Sequence, residues 1–359
     1  MRASGGGVAL TLAFEITRND SVSTPWVVEE QHPKIKSETC TSAGGGMELL
    51  AQVTASVDLG LVGRFGYMLA LVGAGLAGRR LGVLTAHRNE RLGQVAFYVL
   101  LPALVFSSTY DKRLGELLSV ELVVGLVVVL GTLIALSWLA NRGGRNDVRS
   151  VAVIQSYHGN FGYFGVPVVA ATLGSAAAAT ASVILGLGAL IQIPLTILVM
   201  VRLNDTEADL AGELRNLATN PILLTLAVGL GFATLDRGIP TAAASGLGLL
   251  SEFALPVALL AVGGSLDPQG HEIPLSRTGV VVGLKVLAMP LVAWLVFTGL
   301  GTETVTRNAS IVMFGAPTAV STYVYAAELG GDEAFASVNV FATTVASILT
   351  LFVLLSLIV

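Results

Sequence analysis

Gln155-Ser-Tyr-His-Gly-Asn-Phe-Gly-Tyr-Phe-Gly-Val-Pro-Val168 places three glycines and a proline within the nine residues from Gly159 to Pro167. Glycine leaves helical geometry at little steric cost, and proline removes a backbone donor. A helix through this stretch is therefore expected to unwind. Apolar residues flank the stretch on both sides, and together they are long enough to cross roughly 30 Å of hydrocarbon. The break then falls at mid-membrane depth. Each freed backbone group there costs several kcal/mol in lipid, so the break must face protein or a watery cavity. Phe314-Gly-Ala-Pro-Thr-Ala-Val-Ser-Thr-Tyr-Val-Tyr325 carries a second interruption of the same kind.

Outward from these breaks, the chain reads as an all-α polytopic membrane protein. It has 359 residues, of which 53% are hydrophobic and only 12% charged, with a mean hydropathy of +0.78. A soluble domain carries about 25% charged residues. Apolar stretches near 59–78, 93–109, 119–140, 151–173, 176–201, 219–235, 246–266, 278–300, 308–327 and 334–358 give ten expected spans. Their breaks hold the charges and turn formers, among them Arg79-Arg80, Asp111-Lys112-Arg113, Asn141 to Arg145, Asp236-Arg237-Gly238 and Asp267-Pro268. The polar segment 203–219 divides them into a first repeat at 47–202 and a second at 220–359. Residues 1–46, polar and rich in Gly and Ser, are expected to lie outside the fold. They read as a disordered tail, or as translation from a start upstream of Met47.

Five spans per half is an odd number, so the second half enters the membrane inverted, an arrangement typical of secondary transporters. Prolines mark equivalent places. Pro102 and Pro256 lie in the second span of each half, 154 positions apart, and Pro167 and Pro317 lie in the fourth, 150 apart. Loop charges set the orientation. Arg79, Arg80, Arg88, Arg91, Arg142, Arg145, Arg149, Arg202, Arg215 and Arg277 fall on one side, against Arg64, Lys112, Arg113, Arg237 and Arg307 on the other. The positive-inside rule puts the richer side in the cytoplasm and both termini outside, in a multi-pass protein of the cytoplasmic membrane.

Several classes of function are excluded at this level. Basic residues are scattered, so no nucleic-acid surface is expected. A single cysteine, Cys40, rules out a disulfide framework, and the histidines at 32, 87, 158 and 271 are too dispersed for a ligand cluster. No phosphate loop and no nucleophile–base set is visible. Neither a cofactor, a metal nor an enzymatic activity is expected.

The paired breaks point to an anion site. Two unwound segments meeting at the midplane would aim half-helix N-termini and free N–H groups at a negatively charged ligand. Gly159, Gly162, Pro167 and Pro317 shape these segments, and Asn160, Ser321 and Thr322 add hydrogen-bonding side chains. Lys285, about eight residues into the eighth span, is too deep to snorkel and is read as supporting the crossover. His158, one turn before the first break, and Glu328, just after the second, are the groups considered for proton coupling. Gln155, Gln192 and Tyr323 are further polar candidates.

Gly159-Asn-Phe-Gly-Tyr-Phe-Gly-Val-Pro167 resembles the signature of the auxin efflux carrier family. Similar too are Phe97 to Phe106, Asn220-Pro-Ile-Leu, Leu255 to Leu266, Lys285 with Pro290, and Ala316-Pro to Gly330. The resemblance runs in order from about Leu59 to the C-terminus. It implies ten helices with crossing, broken fourth and ninth spans, a dimerising scaffold within lipid, and elevator-like transport of small carboxylates such as auxin-like acids, malonate or malate. On that resemblance Asn160 corresponds to the family's substrate-contacting Asn and Pro167 to the proline closing the motif. Many microbial members carry Asn where this chain has Ser321. The alternative reading is a sodium- or proton-coupled antiporter or symporter of related fold, or a membrane sensor. Antiporters of this kind generally carry acidic pairs at the crossover, and none is apparent here.

Overall fold

In the computed structural model the chain divides into Met1–Val53 and Thr54–Val359. The structure describes residues 59–235, 238–266 and 275–358, all in the second unit. The expected tail at 1–46 with His32 and Cys40, the start at Met47, the Asp236-Arg237 turn, Asp267-Pro268 and His271 lie outside the described residues.

Twelve helices of eight residues or more are labelled here in chain order. They are α1 (Leu59–Arg80), α2 (Ala86–Thr109), α3 (Val120–Ala140), α4 (Asn146–Gln155), α5 (Phe161–Asn204) and α6 (Leu210–Ala218) in the first part. α7 (Pro221–Leu235), α8 (Thr241–Ser265), α9 (Leu275–Gly299), α10 (Thr304–Phe314), α11 (Ser321–Glu328) and α12 (Glu333–Ile358) follow. Among the described residues the sole β feature is an isolated antiparallel bridge between Gly159 and Thr318.

Local chemistry accounts for the ends and irregularities. Thr85 caps α2 by accepting from Arg88 N at 3.3 Å, and Ser119 caps α3 by accepting from Leu122 N at 3.1 Å. Within the apolar helices α2, α5 and α9 a wide π turn occupies Ala96–Leu100, Phe161–Gly165 and Gly283–Ala288. Each ends two residues before a proline, namely Pro102, Pro167 and Pro290. A proline has no N–H for the ladder and its ring crowds the carbonyl of the preceding turn, and the wider turn relieves both. Close approach of α1 to α8 depends on Gly75 and Gly263. A Cβ on Gly75 would strike the backbone of Leu260 and Gly264, and one on Gly263 would strike that of Val72.

Six of these helices are long and apolar enough to cross a membrane: α2, α3, α5, α8, α9 and α12. The pair α6 and α7, bent by 46°, makes a seventh if it counts as one span. The ten-span expectation exceeds this at particular places. It adds α1, it divides α5 at Gly174, and it joins the short helices α10 and α11 across their break. Gly174 has φ +84° and ψ −175°, backbone that an L side chain rarely adopts, so α5 changes direction there. The polar segment 203–219, expected as a loop, contains the short helix α6, whose first turn is held by Asp209 accepting from Gly212 N at 2.9 Å.

Candidate functional site

α4 ends at Gln155 and α5 begins at Phe161, while α10 ends at Phe314 and α11 begins at Ser321. The two gaps lie against each other. Asn160 N donates to Pro317 O at 2.8 Å, Ala319 N to His158 O at 3.0 Å, and Thr318 Oγ1 to His158 O at 3.1 Å. Side chains of neighbouring helices take other freed donors: Gly159 N goes to Gln192 Oε1 at 3.1 Å and Thr318 N to Thr343 Oγ1 at 3.3 Å. The unwound backbone is thus satisfied by protein, as its depth requires. Glycines permit the closeness. A Cβ on Gly159 would meet the Phe161 ring, and one on Gly165 would come within 2.8 Å of Met313 Sδ.

A cavity of about 240 Å³ opens beside the crossing. Gly159, Asn160, Gly162, His158, Ser321, Gln192 and Asn220 are among the residues that line it. Phe97, Tyr163, Leu185, Ile193, Ile222, Leu223 and Tyr325 form most of the remainder. Asn160 is only 5% exposed and caps α5, its Oδ1 accepting from Tyr163 N at 3.2 Å. That leaves its Nδ2 donors for the cavity. Tyr163 stacks on Phe97 at 6.3 Å and donates to Gly93 O at 3.1 Å, which fixes the cavity's aromatic wall. Tyr163 and Ser321 also line a larger vestibule of about 520 Å³ with Asn89, Glu90 and Ser265.

Other residues singled out in the sequence stand elsewhere. Thr322 is buried and does not line the cavity. Its Oγ1 donates to Ala319 O at 2.6 Å and accepts from Gln155 Nε2 at 3.0 Å. Gln155 continues to Ala336 O at 3.0 Å and accepts from Asn339 Nδ2 at 2.9 Å, tying α4, α11 and α12 together. Pro317 contributes its carbonyl to the crossing. Pro167 lines a separate cavity of about 400 Å³ with Ser107, Ser108, Ser251 and Glu252. There Ser251 Oγ donates to Ser107 Oγ at 3.2 Å.

Lys285 is completely buried (0% exposed), with Nζ 3.0 Å from Phe314 O and 3.1 Å from Met289 Sδ. Its amine therefore sits at the C-terminal end of α10, where the helix dipole is negative. His158 pairs its Nδ1 with Thr196 Oγ1 at 2.8 Å, and Tyr157 OH reaches the same hydroxyl at 3.2 Å. Glu328 is exposed at the end of α11 and lines no cavity described here. Tyr323 donates to Glu333 Oε2 at 3.3 Å beside a cavity of about 550 Å³ that also holds Arg79. Ahead of the fourth span, the Arg145 side-chain hydrogen bond holds the Asp147 carboxyl below its ordinary value.

Phe97, Tyr163, Asn220 and Tyr325 reach the cavity without having been singled out as site residues. All four lie inside or at the ends of motifs quoted above, and Asn220 also caps α7, its Oδ1 accepting from Ile222 N at 2.9 Å. Among the described residues no group of His, Cys, Asp and Glu could hold a metal ion.

The comparisons with known proteins point to transporters. A family model described as membrane transport protein matches residues 66–213 and, again, residues 210–355. An uncharacterized transporter of Methanothermobacter thermautotrophicus is 27% identical over 293 residues, covering 79% of this chain and 94% of that protein. A Rhizobium meliloti protein named "Putative malonate transporter" is 25% identical over 293 residues, covering 77% of this chain and 92% of that protein. The two family matches cover far more than half of the sequence, and the resemblance of the crossover motif to auxin efflux carriers agrees with them. This chain belongs to the membrane transport protein family.

Proposed function

We propose that this chain is a secondary transporter of small organic anions, chiefly carboxylates, which it moves across the cytoplasmic membrane by alternating access. The observation that carries the reading is the crossing of two broken helices at the floor of a cavity, through Asn160 N to Pro317 O and Ala319 N to His158 O. α5 and α11 both begin at that crossing, and a helix N-terminus carries roughly half a positive charge. In this reading Asn160, Gly159, Gly162 and Ser321 meet the ligand. Pro167, Pro317 and Thr322 hold the breaks in shape, and Lys285 and His158 support them. Glu328 is the carboxylate assigned to coupling, outside the ligand cavity.

The proposed arrangement is ten spans in two inverted sets of five, divided at 203–219, with both termini outside and the assembly a homodimer in lipid. The twofold match of the family model and the equivalent prolines support the repeat. Exposed Val127, Trp294 and Leu349 support lipid contact by α3, α9 and α12.

The test is uptake into proteoliposomes of labelled malonate, malate, succinate and indole-3-acetate, with and without imposed pH and sodium gradients. Saturable flux of one acid, lost in Asn160→Ala, is the expected result. Folded protein that moves none of the acids under any gradient would refute the reading.

A further inference from the structure

Gln192 lies on α5 in the wall of the cavity beside the crossing and is 2% exposed. The orientation of its carboxamide is settled by the backbone. Oε1 accepts from Gly159 N at 3.1 Å, and a backbone N–H can only donate. The remaining atom, Nε2, is buried and has no hydrogen-bond partner in the protein. Buried donors are nearly always paired, so an orphan on a cavity wall marks a place for an acceptor. Asn160 repeats the pattern: its Oδ1 is held by Tyr163 N at 3.2 Å and its Nδ2 is left over. Two neutral amides whose residues line one cavity are thus each anchored through the oxygen to backbone at the same break, and each has its NH₂ group left over.

The charge available to a ligand is equally defined. Lys285 is turned onto Phe314 O and Met289 Sδ, and Arg79 lines a different cavity. His158, the titratable ring on the wall, is paired with Thr196. Among the described residues no Asp, Glu, Lys or Arg lines this cavity, and apart from its few polar residues the wall is mainly apolar. One carboxylate matches two amide donors, whereas a second would be desolvated against Leu185, Ile193 and Leu223 without a partner. We propose that Gln192 and Asn160 are paired donors of a monocarboxylate site, so that this protein carries singly charged acids with an apolar body and discriminates against dianions. The proposal rests on the carboxylate-transport reading above.

The experiment uses the full chain in proteoliposomes at neutral pH with labelled malonate, its monoamide malonamate, and phenylacetate. Malonate and malonamate share size and shape and differ by one charge. Malonamate and phenylacetate should be taken up with half-saturation concentrations roughly tenfold or more below that of malonate, the scale of one charge-assisted hydrogen bond. Gln192→Glu keeps an acceptor for Gly159 N but removes the donor. It should lower the unfolding temperature, because the new carboxylate is desolvated, and abolish monocarboxylate flux in protein that still folds. Gln192→Lys puts a cation on the wall and should shift preference toward malonate by roughly tenfold. Wild-type preference for malonate over malonamate overturns the monocarboxylate site while leaving carboxylate transport intact. Normal flux and selectivity in both Gln192 variants overturns its role as a donor. Absence of flux for all three acids, from folded protein, removes the transport reading and this one with it.

Discussion

Asn160 serves the fold and the ligand with different atoms of one carboxamide, and two substitutions separate them. Its Oδ1 caps α5 at 3.2 Å from Tyr163 N, which leaves its Nδ2 for a ligand in the cavity that the residue lines. Asn160→Ala removes both. Loss of the cap should cost about 1 kcal/mol of stability. Loss of a donor to a carboxylate should cost about 1.5–3 kcal/mol of binding, which is roughly a ten- to hundredfold rise in half-saturation concentration. Asn160→Asp keeps an acceptor for Tyr163 N and puts a negative charge at a helix N-terminus, where it is favourable. The Asp variant should therefore unfold like the wild type, yet transport less than the Ala variant because a like charge meets the ligand. Denaturant unfolding followed by tryptophan fluorescence and proteoliposome uptake give the two readouts. An Asp variant with wild-type uptake would show that the ligand does not meet Asn160, and the reasoning from the cavity would fail.

Gly174→Ala should cost about 1–3 kcal/mol, since φ is +84° and the space around a new Cβ is open, making the penalty one of backbone alone; an unchanged unfolding midpoint would contradict this. Thr322→Val should lower stability by about 1 kcal/mol through the lost bond from Gln155 Nε2, with half-saturation concentration unchanged because Thr322 does not line the ligand cavity. A large transport defect in stable protein would place Thr322 at the ligand after all. For Asp147 the folded carboxyl is held low by Arg145, so the unfolded chain binds the proton more readily. Its contribution is present above the ordinary Asp value of about 4 and is lost as pH falls through the folded value. Asp147→Asn should accordingly reduce the acid-side slope of stability against pH, and identical slopes in the two proteins would refute the assignment.

Sequence alone determined the membrane class, the helical composition and the positions of both breaks. These follow from short-range physics: hydrocarbon cannot solvate charge, and glycine and proline act on the backbone wherever they fall. The resemblance carried by Gly159 to Pro167 also led to the family. Only the tertiary structure decided which polar groups share a cavity. Ser321 and Thr322 are adjacent in sequence, but successive helical residues point about 100° apart, so one lines the cavity while the other bonds Gln155. Lys285 finds its carbonyl on α10 and Gln192 its N–H at Gly159, partners 29 and 33 residues away. No local pattern encodes such distances. The span count differs for the same reason: hydropathy measures apolar length, whereas the turn at Gly174 and the joining of α10 to α11 depend on what the broken backbone pairs with in space.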